Sequence, residues 1–249
     1  MPKRVCCNLL PIPILVYHQI DQAPPKGAPF RSLYVSPAAF SRQMRWLSLL
    51  GYQGLSMSAL MPYLRGERQG KVVGITFDDG YLNNLTNALP VLMRHGFSST
   101  CYCVSQGLGQ TNVWDREQGI AQTPLMDAVQ VRQWVDGGQE VGAHTRTHVN
   151  LTACTDDLAE AEISLSKIEL SACISERVEH FCYPYGHHRS NHVQMVQQAG
   201  FATATTTQRG RVSQGADLYQ LPRVPVLRST TLPVFWLKVA TGYEDGRAA

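Results

Sequence analysis

An apolar run that ends in two adjacent carboxylates leaves a chain few options. Val72 to Phe77 reads as a buried strand, and Asp78-Asp79-Gly80 comes after it without a break. Two aspartates at the end of a core strand are costly unless each is paired, bound to a cation or held protonated. Neighbours in a regular strand point to opposite faces, so the two carboxylates can share a site only if the chain turns there. Gly80 permits such a turn. One carboxylate could then hold a metal while the other handles protons. Asp-Gly is also a common β-turn signal, and taken alone it means no more than that. Residues further along the chain decide between the two readings.

Other strands surround this one. Pro13–Tyr17, Ser99–Val104, Glu140–Ala143, His180–Tyr183, Phe201–Thr205 and Leu221–Val226 read as strands, with Tyr52–Leu55 a short extended piece. Helical patterns separate them. Ser36-Pro37 supplies an N-cap and a first helical residue, with Phe40, Met44 and Leu47 on the inner face. Pro90 should kink or restart the helix after Gly80. Thr155 starts a helix expected to bury Leu158, Ala161, Leu165 and Ile168, and Ser190 and Thr231 begin two more. The prolines in Leu221–Val226 suit an edge or an open seam. About seven strands alternating with helices imply an α/β fold with parallel strands. The chain's 249 residues fit one domain, with an N-terminal arm over residues 1–12 and a polar tail, 242–249, expected to fray.

In barrels of this kind the active site lies at the C-terminal ends of the strands. His18, Asp78-Asp79, His144 and Tyr185 each fall just after a predicted strand. A net charge of +3, scattered along the chain, argues against a nucleic-acid partner. No segment approaches the roughly 18 apolar residues of a membrane span. The apolar run Val5–Leu10 after Lys3-Arg4 is short and is followed by Pro11 and Pro13, unlike a secretory leader. Seven cysteines with no Cys-x-x-Cys pair point to a reducing, cytoplasmic setting. Cys101 and Cys103 share a strand face and read as small core residues; Cys6-Cys7 is a weak metal-chelating candidate.

His144-Thr145-Arg146-Thr147-His148 places two histidines four apart. On a helical turn that spacing puts both imidazoles on one side. Two histidines and one carboxylate, with positions left open for water, make a catalytic rather than a structural metal set. Zn²⁺ is the leading ion, and Co²⁺ or Ni²⁺ suits the same ligands.

Thr76-Phe77-Asp78-Asp79-Gly80 together with His144-Thr145-Arg146-Thr147-His148 resembles the signature of the polysaccharide deacetylases (NodB-type, carbohydrate esterase family 4). Leu15-Val16-Tyr17-His18, Gly51-Tyr52, Trp114-Asp115, Tyr183-Pro184-Tyr185-Gly186 and Leu221-Pro222-Arg223-Val224 extend the likeness over most of the chain. The Tyr-Pro-Tyr-Gly form is similar to the branch acting on β-1,6-linked N-acetylglucosamine polymers. The resemblance implies a distorted (β/α)7 barrel, a bacterial source and metal-dependent removal of N-acetyl groups from a sugar, polysaccharide or glycolipid. Peripheral membrane contact would follow if that substrate were lipid-linked.

The same resemblance implies roles. Asp79, His144 and His148 would hold the metal, and Asp78 would be the general base for the attacking water. Arg223 would keep Asp78 ionised. Tyr185, with its neighbours Pro184 and Tyr183, would border the oxyanion, and Trp114 would stack on a sugar or pack under its loop. Arg146 is expected to face solvent or a substrate oxygen, His95 to cap a helix, and His192 to sit inert on an exposed helical face. Two departures stand out. Cys182 occupies a position where many members carry arginine, and no histidine follows Arg223 to serve as the usual acid. His18 is the expected replacement, as acid or leaving-group contact, with His187 and His188 as rivals. Two further readings stay open: hydrolysis of a small nitrogenous amide on the same fold, and a non-catalytic carbohydrate-binding descendant.

Overall fold

A computed structural model of the chain describes residues 10–247; Cys6 and Cys7 lie outside them. Eight strands form the main sheet: β1 (Ile14–Tyr17), β2 (Gln53–Leu55), β3 (Val72–Phe77), β4 (Thr100–Cys103), β5 (Glu140–Ala143), β6 (His180–Cys182), β7 (Thr203–Arg209) and β8 (Leu221–Pro225). Seven of them close into a parallel barrel in the order β1-β3-β4-β5-β6-β7-β8 and back to β1. The eighth, β2, explains the distortion. It pairs with Val72–Gly74 on the edge of β3 whose later residues, Thr76 and Phe77, pair with β4. One strand edge therefore serves two neighbours, and the barrel is splayed at that point. The fold is the distorted (β/α)7 barrel expected from the sequence.

Helices α1 (Pro37–Leu49), α2 (Met57–Leu64), α3 (Leu89–His95), α4 (Ala128–Asp136), α5 (Asp156–Ile174), α6 (Ser190–Gln198) and α7 (Leu232–Ala240) wrap the sheet. Ser36 caps α1 by accepting the Ala39 N–H, and Phe40, Met44 and Leu47 turn inward as the spacing predicts. Pro90 does restart its helix: a π-helical turn, Asn84–Ala88, precedes α3. Between barrel and helices Phe77 stacks on Tyr17 and meets Phe40 and Trp134 at tilted and edge-on angles. Cys101 and Cys103 are fully buried on one face of β4 as unpaired thiols. Gly142 is required by close packing, since a Cβ there would lie 2.3 Å from the Tyr102 ring. Among the described residues no helix is long and apolar enough to cross a membrane.

Four local expectations fail. The β8 strand is not an open seam: Leu221 and Arg223 pair with β7, and Val224 and Pro225 with β1. Its register shifts at Pro222, which has no N–H for the ladder. Helix α5 turns a different face inward. Ala159, Glu162, Ile163, Ser166 and Leu170 are buried, whereas Leu158 and Ile168 are exposed. Residues 242–247 of the tail are not frayed: Glu244 is fully buried and ion-paired with Lys238 and Arg209, and Arg211 binds Asp245 at 2.8 Å. His192 is fully buried rather than exposed, its Nδ1 accepting the Arg189 N–H that starts α6.

Candidate active site

The site gathers where the strand-end pattern placed it, at the C-terminal mouth of the barrel. Asp78 and Asp79 leave β3, His144 leaves β5, Tyr183 and Tyr185 follow β6, Arg223 sits within β8, and His18 follows β1. A cavity of about 100 Å³ opens there, lined by His18, Asp78, Asp79, Trp114, both metal-candidate histidines, Tyr183 and Tyr185.

The turn that separates the two aspartates runs through Asp79 itself. Asp79 has φ 74° and Gly80 φ 84°, so two successive left-handed residues break the strand's alternation. Asp78 keeps the barrel's hydrogen bonding, donating its N–H to Tyr17 O at 3.0 Å. The two carboxylates consequently point at different partners.

Asp79 Oδ1 lies 3.5 Å from His144 Nε2 and 3.3 Å from His148 Nε2. One ligand atom from each of these three buried residues falls within 4.8 Å of the others. The imidazole tautomer also fits a metal. His144 Nδ1 is 2.7 Å from Cys182 O, which can only accept, so Nδ1 carries a proton and Nε2 is the atom turned to Asp79, able to donate to it or, once deprotonated, to bind an ion. His148 Nδ1 contacts the Tyr185 hydroxyl at 3.2 Å, leaving its Nε2 toward Asp79 as well. Burial acts to raise the Asp79 carboxyl, but hydrogen bonding from His144 and His148 holds it well below the usual range. The set can hold one divalent cation.

The histidine spacing works by a different route from the one expected. Residues 144–148 are not helical. Thr145 and His148 both have φ 62°, and these two left-handed turns fold the loop so that the imidazole rings converge, centroids 4.8 Å apart. Thr145 is β-branched, which makes this conformation a strain of about 1–3 kcal/mol. The loop is held by a residue that pattern reading missed. Glu162, buried on α5, accepts the N–H groups of Arg146 at 2.8 Å and Thr147 at 2.9 Å and the Thr147 hydroxyl at 2.9 Å. Its signal was present in the sequence, since Glu162 shares a helical face with Ala159, Ile163 and Ser166. Arg146 faces neither solvent alone nor the cleft; its guanidinium binds Glu169 at 2.9 Å.

Asp78 is gripped by Arg223 in a two-pronged pair, Nη1 to Oδ1 and Nη2 to Oδ2, each 2.7 Å. The guanidinium is itself fixed: Nε donates to Thr206 O at 2.9 Å and Nη1 to Thr76 Oγ1 at 3.3 Å. Burial acts to raise the Asp78 carboxyl, and the Arg223 charge and hydrogen bonds outweigh it, so Asp78 stays below its ordinary value. Cys182 sits 3.2 Å from Arg223 Nη2 and 3.8 Å from Asp78 Oδ2. His18 Nε2 stands 4.0 Å from Asp78 Oδ2 and lines the cavity. His188 is engaged elsewhere, stacked on Tyr183 and bonded to Gly186 O and Gln220. Trp114 stacks on His148 with centroids 4.5 Å apart. Tyr185 has φ 58°, another strained residue at the rim, and burial with the nearby Asp115 and Asp79 charges pushes its phenol up to about 12.

The sequence model of the polysaccharide deacetylases matches residues 65–204. The chain belongs to the polysaccharide deacetylase family. This polysaccharide deacetylase is 27% identical to the Bacillus subtilis protein YxkH over 217 residues, 86% of this chain and 71% of that protein. It is 23% identical to the poly-beta-1,6-N-acetyl-D-glucosamine N-deacetylase of Staphylococcus epidermidis over 196 residues, 77% of this chain and 68% of the other. The structure of BC0361, a polysaccharide deacetylase from Bacillus cereus, superposes with a TM-score of 0.78 at 28% identity, covering 92% of this chain and 69% of that one. The fold is also that of the Streptococcus pyogenes deacetylase PplD, with a TM-score of 0.81 at 24% identity, covering 93% and 99% of the two chains.

Proposed function

We propose that this family member removes N-acetyl groups from an N-acetylated saccharide, using one divalent metal ion and Asp78 as general base. The observation that carries this reading is the division of labour between neighbours: Asp79 meets two imidazoles while Asp78 meets a guanidinium. Asp79, His144 and His148 would hold the ion, with Zn²⁺ leading and Co²⁺ or Ni²⁺ suited to the same donors. When bound, the ion supplies Lewis acidity, which acidifies a water and polarises an amide carbonyl.

The chain's own groups supply the rest. Asp78 takes the proton of the attacking water, and Arg223 keeps it ionised and aimed. Arg223 acts through Asp78, as a positioning residue. His18, on the cavity wall with Nε2 4.0 Å from Asp78 Oδ2, carries the proton to the departing amine, in the role that no histidine after Arg223 can fill. Tyr185, held by the buried Pro184 before it, borders the place where the acetyl oxygen develops charge, and Trp114 and Tyr183 wall the sugar's side of the cleft. The likeness to the poly-N-acetylglucosamine deacetylase of S. epidermidis supports a glucosamine-type substrate. The free thiols of Cys101, Cys103, Cys154, Cys173 and Cys182 support a reducing compartment.

The test is acetate release from a panel of N-acetylated sugars, with and without a chelator. Chelator-sensitive release from at least one sugar is the expected result. Metal-loaded protein that releases acetate from none of them would overturn the reading in favour of a different amide substrate.

A further inference from the structure

Beside the catalytic cleft lies a second cavity, about 340 Å³ in volume, lined by Gln22, Ala23, Arg31, Tyr34, Ser36 and Arg228. Tyr34 lines both cavities, and Phe30 and Leu33, the neighbours of Arg31, line the catalytic one. The two spaces therefore share a wall at the same mouth of the barrel. Arg31 comes from the loop after β1, and Arg228 from the turn after β8.

Both arginines are presented rather than spent. The ion pairs made by the described arginines belong to Arg146, Arg209, Arg211 and Arg223, and none to Arg31 or Arg228. Among the described residues no carboxylate lines the cavity, and the nearby Asp21 accepts the Gln22 N–H at 2.7 Å. Arg31 is pre-oriented: its Nε donates to Pro24 O at 2.7 Å, which fixes the guanidinium plane and leaves the two Nη groups as a fork. Arg228 is anchored through its backbone, donating to Ser32 O at 2.8 Å, and that bond ties its turn to the Arg31 loop. The N-cap residue of α1, Ser36, adds a hydroxyl and the positive end of a helix to the same wall.

We propose that this cavity is a subsite for an oxyanion, phosphoryl or carboxylate, carried on the saccharide whose acetamide occupies the catalytic cleft. A forked guanidinium and a second arginine lining one polar cavity suit such a group and would go unused by a neutral sugar. The inference rests on the deacetylase reading, and it adds that the preferred substrate is an anionic saccharide.

The experiment measures binding and acetate release separately. Three ligands are compared: an N-acetylglucosamine trisaccharide, the same sugar carrying a phosphoryl group, and the same sugar carrying a carboxylate. Each is titrated into the wild-type protein, Arg31→Gln, Arg228→Gln and the double variant. The charged sugars should bind at least tenfold more tightly than the neutral one, and each substitution should cost about tenfold toward charged sugars only. Unchanged binding of the neutral sugar shows that a variant is folded. A gain in one charged arm alone assigns the subsite to that group. Equal affinity for charged and neutral sugars, or undiminished charged binding in the double variant, overturns the proposal. On the wild-type protein alone, added salt should weaken only the charged sugars, and salt-insensitive binding also overturns it. Arginine-dependent binding with no acetate released from any sugar overturns the catalytic reading and leaves the oxyanion site standing.

Discussion

Asp78 and Asp79 are consecutive, yet the two halves of the site they anchor are built on different principles. Around Asp78 the parts are barrel strands. Thr76 comes from β3, Cys182 from β6 and Arg223 from β8, and the carboxylate–guanidinium pair is almost wholly buried. Around Asp79 the parts are loops. Asp79, Thr145, His148 and Tyr185 are four of the six non-glycine residues with positive φ among the described residues. The first half stores its energy as electrostatics, complete without a metal ion. The second stores it as backbone strain, about 1–3 kcal/mol per residue, offset by hydrogen bonds such as those of Glu162 and relieved further by a bound ion. The halves should accordingly fail in different ways.

Removing the carboxylate proposed as the base is the largest break. Asp78→Asn should lower acetate release by about 10²–10⁴-fold, the usual worth of a general base. Cation content, measured by elemental analysis, should not change, because the ligands belong to the other half. Loss of metal along with turnover would show that the halves are not separable. Next in size is Arg223→Met, which leaves a buried carboxylate without its partner. It should cost about 3–5 kcal/mol of unfolding free energy in a denaturant titration, and a variant as stable as wild type would show that the pair is not structurally important.

The same contrast explains what the sequence made legible. The barrel half could be read because strands have a fixed period: Val72–Phe77 and Glu140–Ala143 are observed with the predicted bounds, and the residues after them point into the mouth. In the loop half the expected helical turn is absent. His144 and His148 do converge, but through left-handed backbone at Thr145 and His148 rather than a helical turn. A β-branched threonine carries no signal for positive φ, and only tertiary contacts impose it. The α5 face was misread for a related reason. Leu158 and Ile168 look like core residues by hydrophobicity, yet the buried stripe is the one that brings Glu162 beneath the histidine loop. Satisfying that loop's N–H groups outranks burying two aliphatic side chains, and periodicity alone does not weigh the two.

Two smaller experiments probe the loop half. Stripping metal with a chelator should lower the apparent unfolding free energy by about 2.7 kcal/mol relative to protein at one hundred times the dissociation constant. The loss should be similar in Asp78→Asn, and an equal melting temperature with and without chelator would mean that the strained loops bind no ion. Glu162→Gln removes a charged acceptor from beneath residues 146 and 147 while keeping one amide oxygen. It should weaken metal affinity about 10–100-fold, the usual cost of losing an outer support, with little change in the pH dependence of turnover. A shift in that pH profile would mean that Glu162 acts on the base half instead.

The finest discrimination comes from pH, where wild type and Arg223→Met should differ in sign. In the wild-type protein Asp78 lies below its ordinary value: burial acts to raise it, and the charge and hydrogen bonds of Arg223, helped by His18 and His144, outweigh that effect. A carboxylate lowered by folding stabilises fully above its unfolded value, near pH ~3.9, and that stabilisation drains as pH falls further. The slope from this one group cannot exceed about 1.4 kcal/mol per pH unit. In Arg223→Met the main opposing group is gone, and burial, the largest influence on this carboxyl, is expected to outweigh what His18 and His144 still oppose, so the carboxyl should titrate above its unfolded value. It then stabilises at low pH and loses that contribution as pH rises through the folded value. Denaturant titrations between about pH 3 and 7, both proteins in chelator so that Asp79 and its histidines contribute alike, should give a stability difference that narrows toward acid. A difference that stays constant with pH would mean that Arg223 does not set the charge state of Asp78, and the base half would then need another source for its ionised carboxylate.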